Sequence, residues 1–238
     1  MQHIDVDNIR TALKGDQDPI KEAIKNAIKS SCSIRITTPD DYATGSGFHI
    51  GNGYIATVAH NVKFASETGE VHVDVSFDGI HFYKTKTITY NEDDDTAIIK
   101  AIGMPDIPSV ELGDSDSLEV GDIIAVIGTP EGWHDTATVG RVTNVHQNIG
   151  DKYAPSKAWN DMIFIDAQVL GGNSGGEMIA TDGKVYGIVM GITGFDSEQG
   201  LGQNSIIPIN KLKKLISPMD KPEPPEYETT NISPDFSV

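Results

Sequence analysis

From Cys32 onward the apolar residues of this chain recur at every second position, in short runs broken by turn residues, a period that strands satisfy and helices do not. Val71, Val73, Val75 and Phe77 alternate with polar neighbours, Asp78-Gly79 is a tight-turn pair, and Ile80 and Phe82 resume the alternation towards Tyr90. Further strands are predicted over 47–50, 54–58, 97–101, 123–127, 136–145, 162–167, 185–192 and 205–209. So many short strands joined by turns predict an all-β sandwich or barrel rather than alternating βαβ units. A stretch without strand character, 105–116, divides them into two groups of similar size, as a pair of small β-barrels with a cleft between them would require.

The flanks read differently. Asp18 can cap a helix with Pro19 in its first turn, and Ile20, Ala23, Ile24, Ala27 and Ile28 then share one face while Lys21, Lys25 and Lys29 take the other. A shorter helix is predicted over 7–14, stopped by Gly15, and a closing one over 211–216. Residues 1–30 are thus a helical segment, 31–216 the folded body, and 217–238 a tail in which five prolines among acidic residues predict disorder.

Charge and cysteine usage narrow the partners. With 35 acidic against 18 basic side chains the chain carries a formal charge of −17, a field that repels nucleic-acid backbones and anionic membranes. No apolar run has the roughly 20 residues of a membrane span, and the first thirty residues lack the apolar core of a secretory signal. With a single cysteine, Cys32, read as a buried strand residue, these features predict a cytoplasmic protein. One cysteine and no histidines clustered at ligand spacing imply no metal, and no cofactor is expected.

The chemistry concentrates in Gly171-Gly172-Asn173-Ser174-Gly175-Gly176. Glycines around a serine let a substrate backbone approach and free amides to converge on one point, which makes Ser174 the candidate nucleophile. The segment also satisfies the Gly-x-Ser-x-Gly elbow of α/β-hydrolases, but those place their histidine after the serine, whereas all seven histidines here precede Ser174. The order His, Asp, Ser remains. His60 closes the apolar strand 54–58, while His49 lies inside a strand and His72, His81, His134 and His146 sit in polar or turn-rich settings typical of the surface. For the acid, Asp95 is the last carboxylate before the apolar run Thr96-Ala97-Ile98-Ile99, with Asp94 as the alternative.

Gly45-Ser46-Gly47-Phe48, Tyr54 through Val62, Asp95 through Lys100, Leu112-Gly113-Asp114-Ser115-Asp116, Ile127-Gly128-Thr129-Pro130, Gly140-Arg141-Val142 and Asp166 through Gly176 together resemble, in order, the blocks of HtrA/Deg-type serine proteases. The resemblance covers roughly residues 18 to 216 and implies the chymotrypsin-like fold, two six-stranded antiparallel β-barrels. It also implies a serine endopeptidase with His60, Asp95 and Ser174 as triad, the amides of Gly172 and Ser174 as oxyanion hole, and polypeptides as substrates. The family's PDZ module and the aromatic contacts that build its trimers are not recognisable, which leaves the oligomeric state open. By the same resemblance the pocket for the side chain before the scissile bond is lined by Gln168, Val169 and Leu170 and by Ile188, Val189, Met190, Gly191 and Ile192. With no charged residue there, cleavage is expected after small or medium aliphatic residues. Asn173 replaces the aspartate that, in chymotrypsin-like zymogens, pairs with a freed N-terminus, so no proteolytic activation is expected. Two other readings share the scaffold: a silent relative that binds peptides or acts as a chaperone-like scaffold, and a small-ester hydrolase.

Overall fold

Six strands close the first barrel: β1 (Ser31–Thr37), β2 (Tyr42–Gly51), β3 (Tyr54–Thr57), β4 (His72–Ser76), β5 (Tyr83–Asn91) and β6 (Thr96–Ala101), in the spatial order β1-β2-β3-β6-β5-β4. Six more close the second: β7 (Ile123–Gly128), β8 (Thr136–Gln147), β9 (Met162–Ile165), β10 (Glu177–Ala180), β11 (Val185–Asp196) and β12 (Leu201–Pro208), in the order β10-β11-β12-β9-β8-β7. The computed structural model describes residues 18–63, 65, 70–148, 160–196 and 201–217, with side chains at 131 and 192–203 left aside. Every strand pair is antiparallel, for instance Ser31↔Phe48 through Thr37↔Tyr42 between β1 and β2. The helix expected over 7–14 and the acidic tail lie outside the described residues, apart from Ser217.

Alternation explains the closure. In the first barrel one set of side chains, Cys32, Ile34, Ile55, Val73, Val75, Ala97 and Ile99, points inward to a common core. A second set, Phe48, Ala56, Val58 and Ile98, joins Ala125, Ile127, Ile179 and Ile188 of the other barrel in a shared core. The interior of the second barrel is filled by Ile124, Val126, Ile163, Ile165, Met178, Val189 and Ile206. Each fully buried side chain of this size contributes about 1.5–3 kcal/mol, so the inter-barrel seam is as much a hydrophobic core as either interior.

Two helices strap the barrels crosswise. Helix α1 (Pro19–Ala27) is capped by Asp18, whose Oδ1 accepts from the Ile20 amide at 3.3 Å, and it buries Ile20, Ala23 and Ala27. Although the chain then enters the first barrel, α1 packs on β7 and β10 of the second. Helix α2 (Ile209–Ile216) leaves the second barrel and reaches back to β5 and β6 of the first. There buried Lys211 donates to Asn160 O at 2.6 Å and lies 3.6 Å from an Asp94 carboxylate oxygen.

The crossing between barrels is docked along its length. Val110 N donates to His49 O, and Gly113 N and Val185 N exchange bonds with Val185 O and Glu111 O. His49, on β2 as its strand setting implied, is buried: Nδ1 meets Pro108 O at 3.0 Å and Nε2 accepts from Gly53 N at 3.0 Å. An imidazole can sit in a core when both nitrogens are satisfied, and here it fastens the crossing to β2. The sequence reading also missed β10, whose four residues open on a glutamate, and began β12 four residues late.

Candidate active site

His60 lies on the short turn Ala59–Asn61 that ends β3, in the seam between the barrels. Asp95 enters β6 with φ +48°, a left-handed backbone that aspartate tolerates better than most residues. That turn aims both carboxylate oxygens at one partner: Oδ1 accepts from the His60 amide at 2.9 Å, and Oδ2 lies 2.7 Å from His60 Nδ1. A carboxylate only accepts, so Nδ1 carries the proton and Nε2 keeps its lone pair. The alternative acid, Asp94, faces away, taking a 3.4 Å bond from Asn91 Nδ2 and approaching Lys211. Two further His–Asp pairs, His81–Asp78 and His146–Asp161, are equally short at 2.7 Å. What separates His60 from them is burial: the Asp95 side chain is 9% exposed, against 49% for Asp78 and 51% for Asp161.

Ser174 stands on a turn braced by the start of β10 and by β11. Gly175 N donates to Val189 O and Gly176 N to Asn173 O, at 2.8 and 2.9 Å. Gly172 and Gly175 have φ of +91° and +92°, and at Gly175 a Cβ would overlap the Ser46 carbonyl and the Thr57 hydroxyl, so the Ser174 turn admits no larger residue there. The Ser174 hydroxyl donates to Met190 O at 2.9 Å rather than to His60. Asn173 is buried, with Oδ1 unpaired and close-packed on Gly128.

The residues expected to line a pocket are arranged unevenly. Leu170 and Gln168 are exposed, and the Gln168 carbonyl accepts from Thr138 Oγ1 at 2.7 Å. Met190 is half-buried beside Ser174, while Val169, Ile188 and Val189 are buried in the cores and present no open wall. The Ile192 side chain lies outside the described residues. A groove of about 1310 Å³ opens on the first barrel between Arg35, Tyr42, Phe82 and His134, but none of His60, Asp95 and Ser174 lines it.

Sequence reasoning passed over the residues that hold this turn. Ser46 and Asn61 reach the carbonyls of Gly172 and Ser174 from the first barrel, while Thr57 and Thr129, in the same buried polar cluster, bond to Ser46 and its neighbours rather than to the turn. Their only sequence signal was a hydroxyl between two glycines at Gly45-Ser46-Gly47 and an asparagine directly after His60.

Residues 45–188 match the family described as trypsin-like peptidase domain, a span that runs from Gly45-Ser46-Gly47 past Ser174. The chain belongs to the trypsin-like peptidase family. Within it the kinship is with HtrA-type serine proteases. The periplasmic serine endoprotease DegP of Salmonella typhimurium is 33% identical over 179 residues, covering 74% of this chain and 36% of that protein. A probable periplasmic DegP-like endoprotease of Chlamydia pneumoniae is 36% identical over 148 residues, covering 60% and 28%. This trypsin-like peptidase thus spans about a third of the length of those relatives. Two solved structures share the fold: Deg5, with a TM-score of 0.68 at 24% identity over 82% of this chain and 91% of that one, and the HtrA-type protease AlgW with decapeptide, at 0.68 and 20% over 83% and 66%. The relatives' names also overturn one expectation. They are periplasmic proteases, so a cytoplasmic placement does not stand. Cys32 is buried and unpaired, and a lone buried thiol is equally at home in an oxidising compartment, which is why cysteine usage misled.

Proposed function

We propose that this protein is a serine endopeptidase of polypeptides, acting outside the cytoplasm as its relatives do, with Ser174 as nucleophile, His60 as general base and Asp95 as the group that holds the imidazole tautomer and stabilises the imidazolium. The observation that carries the reading is the buried Asp95 carboxylate gripping both the amide and Nδ1 of His60, on the same seam as a glycine-flanked serine. A substrate carbonyl seated at Ser174 would be attacked as the hydroxyl swings from Met190 O to Nε2, the proton passing to His60. The oxyanion is received by the amides of Gly172 and Ser174, each donor contributing about 10²–10³ in rate. His60 then returns the proton to the leaving amine, and water releases the acyl group by the same route.

Specificity follows from what faces the cleft. Among the described side chains of Gln168 to Leu170 and Ile188 to Ile192, Leu170 and Met190 are the apolar ones not buried, and neither segment contains a charged residue. A substrate Lys, Arg or Glu would lose hydration without gaining a counter-charge, so cleavage after Val, Ala, Ile or Leu is expected. The test is fluorophosphonate labelling together with peptide-library profiling of the wild type and Ser174→Ala. The reading requires labelling and aliphatic-directed cleavage in the wild type and neither in the variant. Labelling without peptide cleavage would point to a small-ester hydrolase, and no labelling to a silent peptide binder; either outcome overturns the proposal.

A further inference from the structure

The two amides proposed to receive the oxyanion belong to different peptide planes, Gly171–Gly172 and Asn173–Ser174. The second plane is fixed from within the turn, because Asn173 O accepts from Gly176 N at 2.9 Å. Between the two planes lies the Gly172–Asn173 peptide, and it hangs on a glycine at φ +91°, whose backbone rotates with little steric resistance. Inside the turn its one tie among the described residues is a 3.1 Å bond from Asn173 N to Leu170 O. Its carbonyl is held from the other barrel: Ser46 Oγ donates to Gly172 O at 2.7 Å, the shortest bond made to this turn among the described residues.

Ser46 is itself immobile. It is fully buried, and its hydroxyl accepts from Thr129 N at 2.8 Å, with Thr129 Oγ1 3.1 Å away. Its backbone grips the same turn a second time, the amide donating to Ser174 O at 2.8 Å while its carbonyl accepts from Thr57 Oγ1 at 2.8 Å. Asn61, adjacent to His60, adds a 3.1 Å bond to Ser174 O. The carbonyls on either side of Asn173 are thus fastened to the first barrel, the barrel that carries His60 and Asp95. Resting on the acyl-transfer reading above, we infer that Ser46 is a positioning residue for catalysis: its hydroxyl locks the Gly172–Asn173 peptide so that the amides of Gly172 and Ser174 stay converged on one point, and it keys that point to the histidine across the seam. Preorganised donors gain their effect by not having to reorient when charge develops, so loosening the lock acts on the transition state and leaves substrate binding nearly alone.

The test compares Ser46→Ala with Thr129→Val, a variant that removes a hydroxyl from the same cluster without releasing Gly172 O. For Ser46→Ala, kcat on a peptide substrate is expected to fall about 10- to 100-fold with KM within about twofold, and affinity for a peptide boronic acid, which mimics the tetrahedral adduct, to fall in parallel. Thr129→Val is expected to lower Tm and leave kcat within about threefold. If Ser46→Ala does not fold, Ser46→Cys, of similar size but a poor donor, carries the same expectation. Unchanged kcat in a folded Ser46 variant, or equal kcat losses in the Ser46 and Thr129 variants, overturns the inference and assigns Ser46 to packing alone. A wild type that neither labels nor cleaves would instead remove the acyl-transfer reading beneath it.

Discussion

At the scale of single residues, burial rather than distance distinguishes the three short His–Asp pairs. Asp78 and Asp161 are half exposed, and water competes for their carboxylates. Asp95 is shut into the seam with both oxygens spent on His60. Asp95→Asn is therefore expected to present an amide N–H to Nδ1 or force the other tautomer, lowering kcat by roughly 10⁴ with little change in KM. Asp94→Asn, which touches only Asn91 and Lys211, is expected to leave kcat within a few-fold. Steady-state kinetics of the two variants decides, and exchanged results would move the acid role to Asp94. Much of this was legible in the sequence. His60, Asp95 and Ser174 announce themselves by chain order and by glycine or strand neighbours. Ser46 and Asn61 do not, because their role is defined by backbone carbonyls more than a hundred positions away, and no local pattern encodes such a partner.

At the scale of elements, β10 is the strand that sequence periodicity could not find, and its first residue says why. Glu177 interrupts the apolar alternation yet pairs with Ile188 of β11 and Ile127 of β7 and is fully buried. Neither carboxyl oxygen makes a hydrogen bond of good geometry, and the neighbouring Ser31 hydroxyl offers only a poor one. Loss of hydration pushes the Glu177 carboxyl well above its ordinary value of 4.5, with Ser31 offsetting little of it, and the same burial, with Glu177 beside it, raises the Cys32 thiol. The folded chain then holds a proton that the unfolded chain releases above about pH 4.5, so folding stability falls as pH rises from there towards the elevated folded value. Glu177→Gln, which cannot ionise, is expected to raise Tm at pH 8 by several degrees and to leave it unchanged at pH 4. Thermal melts at the two pH values check this: a loss at pH 8 would show that the carboxyl is paired and charged, and an equal gain at both that its ionisation is not coupled to folding. Strands such as β3, β6 and β7 were readable because they are short apolar runs, as in β6, where only Lys100 is less than buried, whereas β1 was not delimited. Which strands close on which was not readable, since register across a barrel depends on contacts distant in sequence.

At the scale of the whole molecule, the two barrels are joined by a seam of apolar side chains and by helices that cross over it in opposite directions. Chymotrypsin-like zymogens complete their nucleophile turn with an ion pair between an aspartate and a newly freed N-terminus, and in the proposed mechanism this chain would do without one. The position before Ser174 is Asn173, uncharged, buried and packed on Gly128, while Ser46 and Asn61 supply the bracing from the first barrel. Helix α1, which a proteolytic cut before Ser31 would release, covers the second barrel with Ile20, Ala23 and Ala27. Its removal exposes apolar surface of β7 and β10, the strand that follows the nucleophile turn. The 238-residue chain, with α1 in place, is therefore expected to react with a fluorophosphonate at full rate, and a chain beginning at Ser31 to show a lower Tm and slower labelling. The comparison is made on the two purified chains at equal concentration, with labelling rate and melting measured on each. An intact chain that stays unlabelled until the helix is cut away would mean that α1 is an activation segment and that the nucleophile turn is not complete as it stands.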